Sequence, residues 1–338
     1  MNVLAVRQDN NGDVLLAGPA LRAIASSGAQ VTLLCGPSGR AAAQALPGVE
    51  IVVAWEAAWI EAEPRAVDRD AVLRIARRIA ALKIDRAIVF TSFHQSPLPM
   101  ALVLRMAGVP WIAAISEDYP GSLLDLRHRG VADDVHEVDR ALSLARAAGF
   151  PPAAHDDGRL AMRVASANPV AHLAPYVVVH PGATVPARAW SARSNRALVA
   201  ALAARGERVV VTGGAGEKEL CAFVAGAHAC DLSGATSFTE LARVIADANA
   251  LVVGNTGAAH VAAAVGTPVV SLFPPTSAAS RFRPWMVEHV LLGDQHIACA
   301  GCRARVCPRG DHACLAGVGV DDVIAALDFL RAPRAVSA

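Results

Sequence analysis

The chain has 338 residues, of which 54% are hydrophobic, and its formal net charge is +1. This length accommodates two domains, and the near-zero charge argues against a nucleic-acid-binding surface or an acidic tail. No apolar run approaches the ~20 residues that a membrane span requires, and the start lacks the basic leader and cleavage site of a secretion signal. The sequence therefore predicts a cytoplasmic protein, with at most peripheral contact with the inner face of a membrane.

The first half of the chain alternates short apolar runs with amphipathic segments. Strands are predicted at 3–6, 31–34, 51–53, 87–90 and 111–115, and helices at 15–25, 69–82, 97–107 and 137–148. Strands that alternate with helices indicate a mostly parallel sheet covered on both faces. The segment 151–174 is rich in Pro, Ala and Asp and has little periodicity, which is typical of a connection between domains.

A second series of the same kind follows. Strands are predicted at 176–180, 209–212, 230–232, 251–253 and 269–273, and a final helix at 320–330. The predicted fold class is α/β, with two doubly wound, Rossmann-like domains that face a central cleft. The predicted domain bounds are 1–155 for the N-terminal domain, 156–174 for the linker, 175–319 for the C-terminal domain with a Cys-rich loop at 296–316, and 320–332 for a C-terminal helix.

The stretch 254–276, GNTGAAHVAAAVGTPVVSLFPPT, is the most informative part of the sequence. It predicts a strand, a tight turn at Asn255, Thr256 and Gly257, a helix, and a second strand. The turn leaves backbone N–H groups and the positive end of the helix dipole facing outward, which suits a diphosphate. Taken alone, the segment is equally well interpreted as an ordinary βα turn in which Asn255 or Thr256 caps the helix.

Two further glycine turns follow predicted strands in the second half. One contains His180 and Gly182 and is followed by Arg188, whose guanidinium suits a phosphate, although it can equally be a solvated surface charge. The other, TGGAGE at 212–217, places Glu217 or Glu219 where a carboxylate can reach a sugar or ribose hydroxyl. This turn is not a Walker loop, because no Lys-Ser/Thr pair follows, and it is a poor match to a dinucleotide fingerprint.

Asp13 stands at the entry to the first predicted helix, beyond the carboxyl end of the first strand. Ligands collect at that edge in open α/β sheets, so a carboxylate there can act as a general base. It can also simply cap the helix. For this residue alone, capping is the better interpretation.

Four cysteines, Cys299, Cys302, Cys307 and Cys314, form a C-x2-C-x4-C-x6-C pattern in a loop rich in Gly, Arg and His. In a cytosolic protein such a cluster indicates a metal before a disulfide. Four thiolates suit a tetrahedral Zn or a single Fe, which we expect to be structural. Free thiols or one disulfide bridge are the alternative.

Taken together, these motifs resemble the bacterial heptosyltransferases, glycosyltransferase family 9, over residues 1–330. The resemblance rests on GDVLL at 12–16, HEVDRALSLARAAGF at 136–150, HPGA at 180–183 with Trp190, TGGAGEKEL at 212–220, and the stretch 254–276. Each motif is weak alone, but five in the right order form a specific signal.

The resemblance implies a GT-B fold and an inverting, metal-independent transfer of a heptose from ADP-heptose to a hydroxyl of the lipopolysaccharide core, a small metabolite or a protein. It implies that Asp13 is the catalytic base and that no cofactor is needed, although some relatives carry a structural iron on a Cys cluster. The implied donor-binding residues are His180, Gly182, Arg188, Gly214, Glu217, Glu219, Asn255, Thr256, Gly257 and His260.

The sequence departs from the family at three places, one of which is Pro274, where the family usually has Gly. The family commonly has Asp where this chain has Asn255, which leaves the identity of the sugar open. The segment 118–128 is not strongly basic, whereas relatives that act on the anionic lipopolysaccharide core usually need positive charge there, so a neutral acceptor stays open.

Two other functions are compatible with the motifs. They are a GT-B enzyme that uses another nucleotide sugar and a non-catalytic family member that binds a nucleotide. The carboxylate of Asp13 favours catalysis, because a non-catalytic family member would not need it. The sequence leaves the oligomeric state open.

Overall fold

A computed structural model describes residues 1–61 and 63–332. The chain divides into two compact units, one from Met1 to Met162 and the other from Arg163 onward. No helix among these described residues is long and apolar enough to cross a membrane.

The first unit is built on a parallel sheet of six strands. Its strands are β1 (Asn2–Arg7), β2 (Gln30–Cys35), β3 (Ile51–Ala54), β4 (Arg86–Val89), β5 (Ile112–Ile115) and β6 (Leu126–His128), and its helices are α1 (Asn11–Leu16), α2 (Gly18–Ser26), α3 (Arg40–Ala45), α4 (Arg69–Ala81), α5 (Leu98–Met106) and α6 (Glu137–Ala147). The strand order is β3-β2-β1-β4-β5-β6, which is the order of a doubly wound Rossmann sheet.

Helices cover both faces of this sheet, and the sequence pattern explains why. The central strands are buried along almost their whole length, as expected for strands with helices on both sides. On one face, α4 and α5 pack Ile75, Ile79 and Leu104 against the sheet. On the other face, α2 packs against α6. The helix predicted at 15–25 is in fact two, because Gly18 and Pro19 start a new helix after α1 ends at Leu16.

The second unit repeats this plan. Its strands are β7 (Val177–His180), β8 (Val209–Val211), β9 (Cys230–Asp231), β10 (Ala250–Gly254), β11 (Val269–Leu272) and β12 (His289–Leu292), and its helices are α7 (Ala192–Ala204), α8 (Lys218–Ala225), α9 (Phe238–Ala246), α10 (Gly257–Val265), α11 (Ala279–Phe282), α12 (Ala313–Ala316) and α13 (Val320–Arg331). The order β12-β11-β10-β7-β8-β9 has the same topology, and its strands are parallel. The predicted α/β fold with two doubly wound sheets is confirmed.

This topology fixes where ligands bind. In each sheet the chain reverses direction at the first strand. β1 therefore lies between β2 and β4, and β7 lies between β8 and β10. Open α/β sheets bind ligands in the crevice at such a switch point, outside the carboxyl ends of the strands. The chain therefore offers two candidate crevices, one in each unit.

Candidate active site

Asp13 lies at the switch point of the first sheet. Asp13 is the third residue of α1. The N-cap residue is Asn10, whose side chain makes no capping hydrogen bond. One Asp13 oxygen accepts a hydrogen bond from Arg7 at 3.3 Å, and a quarter of the side chain stays accessible. The structure therefore shows Asp13 as an accessible carboxylate held by a guanidinium, rather than as the helix cap that the sequence alone favoured.

Arg7, at the end of β1, is the centre of a buried charge network that the sequence did not reveal. The guanidinium lies 2.8 Å from Asp9, 3.3 Å from Asp13 and 3.6 Å from Glu137, and it donates a 2.9 Å hydrogen bond to Ser92. Burial acts to lower the pKa of Arg7, but the three carboxylates together raise it above its ordinary value. Arg7 therefore connects carboxylates from the end of β1, from α1 and from α6 through one buried guanidinium.

The second switch point contains the start of α10. The helix begins at Gly257, and its N-cap residue Thr256 makes no side-chain capping bond. The first N–H groups of a helix have no partner within it, and the helix dipole adds partial positive charge at this end. This turn can therefore bind an anion, as its sequence predicts.

Buried polar atoms without a partner surround this helix start. Among the described residues they include Nδ2 of Asn255 and Oγ1 of Thr256, which follow β10, and Oγ1 of Thr276, which follows β11. Asn255 and Thr276 are each only 4% exposed. Because buried polar groups in native proteins are normally hydrogen-bonded, this cluster makes the turn a candidate ligand site.

His180 and Glu217 lie together beside this turn. His180 ends β7, and its Nδ1 lies 2.9 Å from the hydroxyl of Thr212. Burial lowers the pKa of His180, although Glu217 acts to raise it. The Glu217 carboxylate accepts the N–H of Gly214 at 2.7 Å and lies against Gly182, where a Cβ atom would overlap it.

The remaining residues predicted to bind the donor differ in how close they lie to the α10 turn. Gly254 allows close approach of the Arg188 carbonyl, which a Cβ at that glycine would meet at 2.8 Å. Arg188 is therefore next to the α10 turn, and His260 is buried on α10 itself. Glu219, in contrast, is exposed in the first turn of α8, which makes Glu217 the better candidate of the two acidic residues.

The Cys-rich loop is hydrogen-bonded through its main chain to the segment that follows β11 and to Ala187. Gly301 N–H donates to the carbonyl of Pro275 at 2.6 Å, and Arg303 N–H donates to that of Thr276 at 3.0 Å. Ala187 N–H donates to the carbonyl of Arg305 at 2.9 Å. This loop therefore forms a wall beside the unpartnered polar atoms.

The predicted Zn or Fe site on Cys299, Cys302, Cys307 and Cys314 is not supported. Within residues 1–61 and 63–332, no three His, Cys, Asp or Glu side chains converge as a metal site. Burial raises the pKa of the Cys314 thiol, with Cys299 adding to the effect, whereas the N–H of His312 and neighbouring amides lower that of Cys307. The end of the loop is held to the segment after β12, since the backbone carbonyl of Cys314 accepts from the N–H of Asp294 at 2.9 Å.

The family model for glycosyltransferase family 9 (heptosyltransferase) matches residues 72–312. The chain belongs to this family. It is therefore a glycosyltransferase, and the family predicted from the five motifs is confirmed.

Individual relatives agree with the family. Lipopolysaccharide heptosyltransferase 1 of Salmonella typhimurium is 28% identical over 298 residues, which cover 82% of this chain and 89% of the relative. Lipopolysaccharide heptosyltransferase 3 of Escherichia coli is 35% identical over 116 residues, which cover 32% of this chain and only 34% of the relative.

Two solved structures show the same fold over the whole chain. The E. coli ADP-heptose lipopolysaccharide heptosyltransferase II has a TM-score of 0.75 at 20% identity and covers 98% of both chains. E. coli heptosyltransferase WaaC with ADP-2-deoxy-2-fluoro heptose has a TM-score of 0.71 at 21% identity, covering 96% of this chain and 98% of that one. The predicted GT-B fold is confirmed.

Proposed function

We propose that this family 9 enzyme transfers a heptose from ADP-heptose to an acceptor hydroxyl, with inversion at the anomeric carbon and without a catalytic metal. One observation carries the proposal. At the switch point of the second sheet, the uncapped start of α10 is surrounded by the buried, unpartnered polar atoms of Asn255 and Thr256. A diphosphate supplies both the negative charge and the acceptor oxygens that these groups lack.

The choice of ADP-heptose as donor is supported by the relatives. WaaC was solved with an ADP-linked fluoro heptose, and heptosyltransferase II is named for ADP-heptose. In this chain, the α10 amides and Arg188 are the groups that we assign to the diphosphate, and Glu217 is assigned to the nucleotide.

The proposed chemistry is a single displacement. The Asp13 carboxylate takes the proton of the acceptor hydroxyl while its oxygen attacks the anomeric carbon. The bond from that carbon to the diphosphate oxygen breaks, and ADP leaves with the electron pair. Attack on the face opposite the leaving group inverts the configuration. The charge that develops on ADP is stabilised by the α10 N-terminus and by a guanidinium, and neither requires a metal.

The test follows ADP release from ADP-heptose in EDTA, with and without saccharide acceptors, and determines the anomeric configuration of the product by NMR. We expect acceptor-dependent turnover that EDTA does not reduce. Asp13→Asn should lower kcat by roughly 10²–10⁴-fold while calorimetry shows unchanged ADP binding. Asp139→Asn is the matched control, because Asp139 is an exposed acid of the same unit.

Each part of the proposal can fail separately. Normal turnover by Asp13→Asn would show that another group is the base. Retained anomeric configuration would exclude the single displacement. Preference for a UDP- or GDP-sugar over ADP-heptose would exclude the proposed donor.

A further inference from the structure

A narrow cleft opens at the switch point of the first sheet, beside the Arg7 network. It lies at the carboxyl ends of β1 and β4, and the residues that line it include Gln8, Trp59, Thr91 and Gln95. Its volume of about 10 Å³ is enough for one water molecule or one hydroxyl group. The cleft is therefore a place where a single hydroxyl of a larger ligand fits.

Thr91 is the group in this cleft that lacks a partner. Its hydroxyl is buried and makes no hydrogen bond to any described residue, and the whole residue is 9% exposed. Gln95, in contrast, is fully engaged, since its amide donates to Asp9 at 2.6 Å and its carbonyl accepts from Ser92 N–H at 3.0 Å. A buried hydroxyl without a partner indicates that a ligand completes it, and a hydroxyl can pair with a neutral hydroxyl.

Aromatic rings lie next to the cleft. Trp55 and Trp59 follow β3, with ring centroids 5.4 Å apart in an edge-to-face arrangement, and both rings are partly buried. Tyr119, which follows β5, is 84% exposed. Such rings combine a broad apolar face with a polar edge, which matches a sugar ring that has an apolar C–H face and polar hydroxyls.

The charges of the neighbouring loops are predominantly negative. The loops 55–68, 90–97 and 116–120, which follow β3, β4 and β5, contain six carboxylates and a single Arg or Lys, Arg65. Arg65 is paired with Glu56 and, at 3.7 Å, with Glu61. Glu117 and Asp118 lie beside Tyr119, and the guanidinium of Arg127, from β6, donates to the backbone carbonyls of Ser116 and Glu117. An acceptor that carries phosphate or carboxylate groups would be repelled at this edge.

We propose that the acceptor of this enzyme is a saccharide without net negative charge, which stacks on Trp55 and Trp59 and places one hydroxyl against Thr91. The inference rests on the proposed function only in calling this ligand the acceptor. It does not extend to phosphorylated or carboxylated glycans, for which the exposed carboxylates of the three loops are unfavourable.

The probes are a mannose-containing disaccharide and the same disaccharide with one phosphate monoester. Binding is measured by quenching of tryptophan fluorescence and turnover by ADP release from ADP-heptose. We expect the uncharged disaccharide to have at least a tenfold lower Kd and a tenfold higher kcat/KM. Trp59→Ala and Thr91→Val should each raise its KM at least fivefold with little change in kcat, whereas Met106→Ala, which removes an exposed side chain at the end of α5, should not.

A charge variant tests the electrostatic part separately. Glu117→Gln combined with Asp118→Asn should tighten binding of the phosphorylated disaccharide by at least threefold and leave that of the uncharged one unchanged. Equal or tighter binding of the phosphorylated probe by the wild-type protein, or no binding of either, would overturn the inference. Saccharide binding without consumption of ADP-heptose would instead refute the proposed function and leave the binding site standing.

Discussion

Replacement of Arg7 by methionine tests whether the buried charge network supports the N-terminal unit and its candidate base. Methionine has a similar length but no charge, so Asp9, Asp13 and Glu137 lose the guanidinium that contacts all three. The side chain of Glu137 is only 1% exposed and that of Asp9 only 10%. These carboxylates must then either stay ionised at a cost or take up protons.

The expected loss can be estimated from the contacts. At an effective dielectric constant near 20, one unit-charge pair at about 4 Å contributes about 4 kcal/mol, and Arg7 makes three such pairs. Most of this offsets the desolvation of the guanidinium and of the acids, and removal of one partner from a buried ion pair typically costs about 3–5 kcal/mol. For a unit of this size the thermal midpoint should fall on the order of 10 °C.

The assay is thermal unfolding followed by circular dichroism, together with the pH dependence of turnover. Arg7→Lys should recover part of the stability but not all of it, because three different nitrogens of Arg7 contact Asp9, Asp13 and Glu137, and one ammonium cannot reproduce that fork. In Arg7→Met, but not in Arg7→Lys, the acid limb of the pH–rate profile should move to higher pH, because only methionine removes the positive charge 3.3 Å from Asp13. Arg69→Met, at an exposed arginine of α4, is the control. A midpoint for Arg7→Met within 2 °C or so of that control would refute the reasoning.

The remaining predictions concern the second unit. Gly254→Ala should cost about 1–3 kcal/mol of unfolding free energy, because its Cβ would lie 2.8 Å from the Arg188 carbonyl, whereas Gly216→Ala, with open space around its Cβ, should cost much less in the same denaturant titration. Asn255→Asp should weaken ADP binding, because a carboxylate at this position, which is only 4% exposed, repels the diphosphate and competes with it for the same amides. Calorimetry that shows tighter ADP binding would contradict this. Since burial lowers the pKa of His180, the unfolded chain binds its proton more readily, so stability should fall as pH drops below about 6.5. His180→Gln should lose this part of the slope between pH 7.5 and 5.5, and an identical slope would rule out His180 as its source.

The central strands could be predicted from sequence because their signal is local. β1, β2, β10 and β11 are mostly apolar and buried, since helices cover both of their faces. β6 and β12 were not predicted, and each is an edge strand that is half-buried throughout. β6 has only three residues, Leu126, Arg127 and His128, and lacks an apolar run. β12 was missed although Val290, Leu291 and Leu292 form a short apolar run.

The turn at Asn255, Thr256 and Gly257 could be predicted for a similar reason, since it lies directly between β10 and α10. The Arg7 network could not, because its members come from β1, α1 and α6 and meet only through the parallel pairing of the sheet. The same holds for the cleft at Thr91, in which residues after β1, β3 and β4 come together. The cysteine spacing is also a local signal, but spacing alone does not determine whether four thiols meet, and no metal site is found among the described residues.

The two switch points have one property in common. Thr91 at the first, and Asn255 and Thr256 at the second, each carry a polar atom that is buried without a partner among the described residues. Each such atom costs the folded protein about 1–3 kcal/mol, and apolar residues would avoid that cost. Ligand oxygens at both places would offset it, and the proposed reaction between a donor and an acceptor needs one ligand at each.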